Sequence, residues 1–166
     1  MSKSHLVVKS ALCLALVMSL SQCGGKPKSA ATATVDAGPT ASYSYDVALS
    51  FAPAAVAKLK TKGGKAEVSA YYFGAPTDAG KDKVNEAGEI EMGENLIDVD
   101  ASTQTVHVDA NVDAKALGFV AGGQPSVLIS AYLAPTAGTN VLKCTTFKGA
   151  VADAKAKPVA ISCDVK

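Results

Sequence analysis

The chain has 166 residues and a formal charge of +1, with 48% hydrophobic and 19% charged residues and no tryptophan. This length suits one ordinary domain with appendages, and the composition argues against a polytopic membrane protein and a wholly disordered chain. All sixteen basic residues are lysine, so the chain lacks the arginine forks that hold phosphate groups, and we expect no nucleic-acid partner.

The first 22 residues predict a secretory signal peptide. Lys3 and Lys9 place positive charge at the start of the chain, and the apolar run ALCLALVMSL follows at 11–20. About ten helical residues extend only about 15 Å, which is half of the apolar thickness of a bilayer. The segment 1–22 is therefore typical of a cleaved signal and not of a membrane-spanning helix.

The signal ends in the sequence Leu20-Ser21-Gln22-Cys23-Gly24. This segment resembles the lipobox of bacterial lipoproteins, although Gln22 stands where that motif usually has a small residue. The resemblance covers only the cleavage region. It implies that Cys23 becomes the mature N-terminus, carries palmitate-type acyl chains and anchors the protein in membrane lipid. Gly24 implies sorting to the outer membrane of the bacterial cell envelope, bordering the periplasm. The alternative is an ordinary secretory signal followed by a free cysteine.

A flexible tether is predicted over 23–42. After Cys23 its residues are small or turn-forming, GGKPKSAATATVDAGPTAS, and they show no apolar periodicity. Such a segment cannot bury enough apolar surface to offset its ordering entropy. A coil of about 19 residues spans roughly 24 Å, which would place a domain at 43–166 just beyond the lipid headgroups.

The residues from 43 to 166 predict a β-rich domain. Apolar and polar residues alternate over 45–51 and over 105–112, which is the period of a half-buried antiparallel strand. Later strands are predicted at 88–93, 95–100, 140–148 and 158–165. The residues of these strands that are expected to point inward are Ile97, Val99, Val159, Ile161, Cys163 and Val165.

Each alternating strand is followed by a short helical segment and a Gly-Gly pair. Pro53 can open the first helix, over 54–59, because its fixed φ suits the first helical turn. Asp113 can cap the second helix, over 114–117. The glycine pairs lack the pattern of a phosphate-binding loop, so we interpret them as turns.

Two blocks of the domain, 43–102 and 103–166, have similar sequences, and we interpret them as an internal duplication. The strings Ser-Ala-Tyr and Ala-Pro-Thr recur about 61 residues apart, although chance similarity of alanine-rich segments is an alternative. Aligning the two blocks also predicts which residues face the core in the two strands that contain Ser-Ala-Tyr, one after each Gly-Gly pair. The residues expected to face the core are Val68, Ala70, Tyr72, Ile129, Ala131 and Leu133.

About eight short strands separated by turn residues predict an all-β fold. The expected architecture is an antiparallel β-sandwich, immunoglobulin-like or transthyretin-like in outline, with two short helices. The alternative is an α+β layer in which both helices cover one face of a sheet.

Two cysteines remain in the domain after the signal and Cys23 are set aside. An even pair in an exported domain predicts a disulfide between Cys144 and Cys163. The alternative is a redox-active pair, but such pairs usually lie close together as C-x-x-C.

The domain has one histidine, His107, on the polar side of an alternating strand, where a solvated side chain is expected. Asp109 shares that side, but nothing in the sequence marks an activated serine beside them, as a catalytic triad requires. A zinc site needs three or four ligands and the cysteines are already assigned, so we expect no metal and no cofactor.

The densest run of acidic residues lies between Glu86 and Asp100. Carboxylates are Ca²⁺ ligands, and Asp98 and Asp100 would share one side of a strand, but the spacing does not match an EF-hand loop. We interpret the run as an acidic solvated segment, with Ca²⁺ binding as the alternative.

Tyr71-Tyr72-Phe73 is the only run of aromatic residues. Successive strand residues point to opposite sides, so Tyr71 and Phe73 share one side of the sheet and Tyr72 takes the other. One interpretation is a second buried layer beneath the helices. The other is an exposed surface for a protein or glycan partner, formed by Tyr71, Phe73 and Tyr132.

The function expected from these features is that of a non-enzymatic, membrane-anchored envelope lipoprotein with a binding or structural β domain. An envelope assembly or chaperone-like accessory that pairs through an exposed sheet edge is the second hypothesis. A hydrolase that uses carboxylates such as Glu89 or Asp98 is the third.

Overall fold

The computed structural model describes residues 43–134 and 138–166. The predicted signal peptide, Cys23 and the predicted tether lie outside these residues. In chain order the elements are β1 (Tyr45–Phe51), α1 (Pro53–Thr61), β2 (Lys65–Gly74), β3 (Ile90–Asp100), β4 (Gln104–Val108), α2 (Ala114–Leu117), β5 (Ser126–Leu133), β6 (Leu142–Cys144), β7 (Phe147–Ala150), α3 (Val151–Ala156) and β8 (Val159–Val165).

The strands form two four-stranded sheets with one core between them. The first sheet has the order β4-β1-β8-β6 and the second has the order β3-β2-β5-β7. The prediction of an all-β sandwich of about eight strands is confirmed. One neighbouring pair differs from the antiparallel expectation, because the last strand, β8, runs parallel to β1 and lies between β1 and β6.

Alternation along the strands fills the core as predicted. Each of the six residues expected to face the core in β2 and β5 is at most 6% exposed. In the first sheet, the inward residues of β1 alternate with partly exposed ones in the pattern expected for 45–51. Val99, Val159, Ile161 and Cys163 are also buried, whereas Ile97 and Val165 pack against the core at its margin.

Three strand boundaries differ from the prediction. The two strands expected at 88–93 and 95–100 are one strand, β3, because the chain only kinks at Gly93, where a β-bulge shifts the register against β2. The strand expected at 140–148 is two strands, since the chain leaves β6 in the first sheet and enters β7 in the second. The alternating strand that was expected to reach residue 112 ends at Val108.

Both predicted helices form, and a third was not predicted. Pro53 occupies the first turn of α1, and the Asp113 carboxylate accepts a hydrogen bond from the backbone N–H of Lys115 at 2.7 Å. The third helix, α3, is six residues long and buries Val151 and Ala154. Six residues span less than two helical turns, so their apolar period is too short to be recognised.

Strands of the two proposed repeats pair with each other at the edge of the first sheet and in the middle of the second. Val47 lies opposite Val106 where β1 pairs with β4, and Ser69 lies opposite Ser130 where β2 pairs with β5. The two segments that contain Ser-Ala-Tyr are therefore antiparallel neighbours in the second sheet.

A chain of polar groups connects the two sheets at one place in the core. The buried Tyr45 hydroxyl lies 3.1 Å from the Tyr72 hydroxyl, and Tyr72 donates to Asn95 Oδ1 at 2.8 Å. Burial raises the pKa of Tyr45 to about 12 and that of Tyr72 further. Asn95 also accepts from the backbone N–H of Asn111 at 3.1 Å and donates to the Asp109 carbonyl at 3.2 Å. This chain was not predicted, because its members are distant in sequence.

Candidate functional site

The aromatic run divides between the two sides of the second sheet as predicted. Tyr72 lies in the core, whereas Tyr71 and Phe73 point outward and stack with their ring centroids 5.9 Å apart. Tyr132 is on the neighbouring strand β5, opposite Glu67 of β2, so all three predicted partner-surface residues share the outward side.

Register defines the remainder of this surface, because residues directly opposite each other on paired strands share a side. We call it the acidic–aromatic face. It consists of Lys65, Glu67, Ser69, Tyr71 and Phe73 of β2, Glu91, Glu94, Leu96, Asp98 and Asp100 of β3, Ser126, Leu128, Ser130 and Tyr132 of β5, and Lys148 and Ala150 of β7.

Hydrogen bonds hold two carboxylates in place on the acidic–aromatic face. Tyr132 donates its hydroxyl proton to Glu67 Oε1 at 2.5 Å, and Ser69 donates to Glu94 Oε1 at 2.7 Å. Burial, and then the neighbouring Glu67, raise the pKa of Tyr132 to about 12, so its hydroxyl stays a donor at neutral pH. Sequence reasoning identified Glu94 only as part of the acidic segment and missed Glu67, although the strand alternation of β2 could have placed Glu67 beside the tyrosines.

Phe73 is the most buried aromatic residue of this face. It is 7% exposed, and the Lys148 ammonium lies over its ring, 4.6 Å from the centroid. Tyr71 stays partly exposed and accepts a hydrogen bond from Asn85 at 2.9 Å. A second buried layer beneath the helices is not what the structure shows. The buried residues of α1 and α3 join the single core cluster between the sheets, and Phe73 lies outside it.

One large hydrophobic side chain on this face is markedly exposed. Leu96 is 56% exposed on the edge strand β3, opposite Ser69. The outward side of the first sheet differs in character, since β1 and β8 present small residues there, such as Ala48 opposite Ala160 and Ser50 opposite Ser162.

The predicted disulfide between Cys144 and Cys163 is confirmed. The two residues are direct partners where β6 pairs with β8, and their sulfur atoms are bonded. A groove of about 660 Å³ beside the bond is lined by both cysteines and by small or polar residues such as Ser50, Thr145 and Ser162.

His107 is exposed on the outward side of the first sheet, as predicted, and both of its ring nitrogens face carboxylates. Nδ1 lies 2.8 Å from Asp46 Oδ1 and Nε2 lies 3.3 Å from Asp109 Oδ1. Ser44 donates its hydroxyl proton to Asp109 at 3.1 Å, so the serine joins the same polar network as the imidazole and the two carboxylates.

We expect His107 to titrate above the usual pKa of about 6.5. Its hydrogen bond to Asp46 is the largest cause of the raised pKa, so Asp46→Asn should lower the pKa more than Asp109→Asn does. A raised folded pKa means that the stabilisation by this network is present below the unfolded pKa and is lost as the pH rises through the folded pKa. Histidine ring chemical shifts followed through a pH titration measure this directly. Equal pKa values in the wild type and in Asp46→Asn would contradict the expectation.

The acidic segment from Glu86 to Asp100 does not converge on one point. Asp98 and Asp100 share a side as predicted, but Glu89 lies before the start of β3 and pairs with Lys148 at 3.4 Å. From Glu91 to Asp98 the strand extends roughly 20 Å, so Glu89 and Asp98 lie at opposite ends of β3. In residues 43–134 and 138–166, no group of three or more His, Cys, Asp or Glu side chains could hold a metal ion.

The chain matches no protein-family model, no curated protein and no solved structure. Within the part of the chain that the structure describes, no helix is long and apolar enough to cross a membrane.

Proposed function

We propose that this protein is a bacterial envelope lipoprotein that displays a non-enzymatic binding domain, and that the acidic–aromatic face is its binding surface. One observation carries the proposal. Tyr71 and Tyr132 stay partly exposed on the same outward side of a four-stranded sheet, near the exposed Leu96. Aromatic side chains are enriched at the centres of protein interfaces, and polar side chains form the rim.

The anchor in this proposal is Cys23. A lipid on that residue, followed by a tether of about 19 residues, would hold the sandwich domain roughly 24 Å from the headgroups. That distance would allow the domain to meet another envelope component.

A site-specific crosslinking experiment in intact cells tests the binding surface. A photo-crosslinking residue at Leu96 should give a discrete adduct, because that side chain is exposed on the proposed surface and its replacement leaves the core unchanged. The matched control is the same residue at Thr105, which is exposed on the edge strand of the first sheet. Adducts at Thr105 but none at Leu96 would contradict the proposal.

Fractionation of the same cells tests the anchor. Cys23→Ala should move the protein out of the membrane fraction, since two or more acyl chains are needed for stable membrane attachment. If Cys23→Ala fractionates like the wild type, the lipid anchor is wrong.

An assembly or accessory role through the edge of β3 is the second candidate, favoured by the exposure of Leu96 on that edge strand. However, the bulge at Gly93 and the carboxylates of β3 are features that hinder pairing of an edge strand with another chain. The backbone N–H of Asp113 also donates to the Met92 carbonyl at 2.8 Å, so part of the edge is already covered.

A further inference from the structure

We propose that the acidic–aromatic face binds an extended, lysine-rich segment of a partner protein. This inference rests on the proposed function, because it names the chemistry of the partner that the same face takes. The juxtaposition of tyrosine rings and carboxylates that have no lysine partner, on one side of one sheet, carries it.

Charge on the acidic–aromatic face is one-sided. Five of its residues are carboxylates and two are lysines, so its formal charge is −3, whereas the whole chain carries +1. Lys65 pairs with Asp100 at 3.1 Å, and Lys148 pairs with the adjoining Glu89. Among the described residues, the face carboxylates that have no lysine partner are Glu67, Glu91, Glu94 and Asp98.

Two of these carboxylates oppose each other directly. Glu67 of β2 and Asp98 of β3 are register partners, and like charges at directly opposed positions destabilise a sheet. A cation that docks between them would remove this repulsion. The arrangement is therefore unfavourable for the free protein and favourable for a complex with a basic partner.

The face already holds one ammonium group in the way that we propose for the partner. Lys148 lies over the Phe73 ring and pairs with Glu89, so a ring and a carboxylate bind one cation together. The same two chemical groups are adjacent at Tyr132 and Glu67, whose hydrogen bond holds the carboxylate beside the ring. This preorganisation reduces the entropy that binding would otherwise lose.

The spacing of the face suits an extended segment. Neighbouring residues on the same side of a strand are about 7 Å apart. Lysines at every second position of an extended peptide have the same spacing. Such a peptide lying along β2 and β3 would bring one ammonium group to Glu94 and the next but one, about 13 Å further on, to the pair of Glu67 and Asp98.

Fluorescence anisotropy with a labelled peptide of alternating lysine and threonine tests this inference on the protein purified from membranes in mild detergent. We expect saturable binding that weakens about tenfold from low to high salt, and no binding of the peptide with glutamate in place of lysine. Asp98→Asn combined with Glu94→Gln should weaken binding about fivefold. Asp98→Asn alone should also weaken binding, whereas its matched control Asp164→Asn, which removes one exposed carboxylate from the first sheet, should leave binding unchanged.

Thermal unfolding separates a binding role of Asp98 from a structural one. Removing the repulsion with Glu67 should make Asp98→Asn melt about 2 °C higher while its affinity for the peptide falls. A lower melting temperature would assign Asp98 a structural role and overturn the argument from repulsion. Absent or salt-independent peptide binding, or binding unaffected by the face variants, would overturn the inference. Adducts at Leu96 in cells would still support the proposed function in those cases.

Discussion

Replacing Cys144 and Cys163 together by alanine is expected to lower the free energy of unfolding by about 3 kcal/mol. The bond closes a loop with a sequence separation of 19 residues, and in the chain-entropy model a loop of that size restricts the unfolded chain by this amount. For a domain of this size the melting temperature should fall by about 10 °C. Calorimetry or urea unfolding of the wild type and the double variant measures the difference.

The position of this bond explains why the loss should be large. It joins β8 to β6, which has three residues and lies at the edge of the first sheet. The chain then crosses to the second sheet before β7 begins, so few backbone hydrogen bonds hold β6 in place. A reductant should lower the stability of the wild type to that of the double variant and leave the variant unchanged. Equal stability of the oxidised wild type and the variant would contradict the stabilising role.

Asn95→Ala is expected to lower the free energy of unfolding by about 2 kcal/mol. The substitution removes the Asn95 acceptor, so the buried hydroxyls of Tyr45 and Tyr72 keep one hydrogen bond for two protons, and a buried donor without an acceptor is destabilising by about 1–3 kcal/mol. It also removes the two bonds by which Asn95 fastens the chain at Asp109 and Asn111 to β3. Urea unfolding gives the magnitude.

A double-mutant cycle assigns this effect to the polar chain between the sheets. Tyr72→Phe removes the hydroxyl together with its need for an acceptor, so Asn95→Ala should be less harmful in that background by about 1 kcal/mol. Asn85→Ala is the matched control, because Asn85 also bonds a tyrosine hydroxyl and two backbone N–H groups, but on the outward side of the sheet. Additive losses for Tyr72 and Asn95 would contradict the coupling.

The polar chain between the sheets also affects the binding surface, because it makes that surface more rigid. The polar chain fixes β2 and β3 against the first sheet, and these are the strands that carry most of the acidic–aromatic face. A preorganised sheet surface loses little entropy on binding, so variants that loosen the core are expected to weaken partner affinity without changing any contact residue.

Much of the local structure could be predicted from the sequence. Alternation in β1 and β2 predicted which side of each strand is buried, Pro53 and Asp113 marked two helix starts, and an even cysteine pair predicted the disulfide. The outward position of Tyr71 and Phe73 followed from the same alternation. Near-total burial of Phe73 did not, because the lysine that covers it comes from β7, about 75 residues later.

The sequence by itself determined the class of fold and the residues that form the disulfide. It also determined which side is buried in each strand with a clear apolar–polar alternation. Only the tertiary structure decided which strands are neighbours: β8 runs parallel to β1, the chain changes sheets between β6 and β7, and β3 brings its carboxylates beside the tyrosines of β2. The physical reason is that side-chain alternation reports burial strand by strand, whereas backbone hydrogen bonds between strands are much the same for any pair. The choice of neighbours depends on how the whole chain packs its core, and the candidate binding surface is a product of that choice.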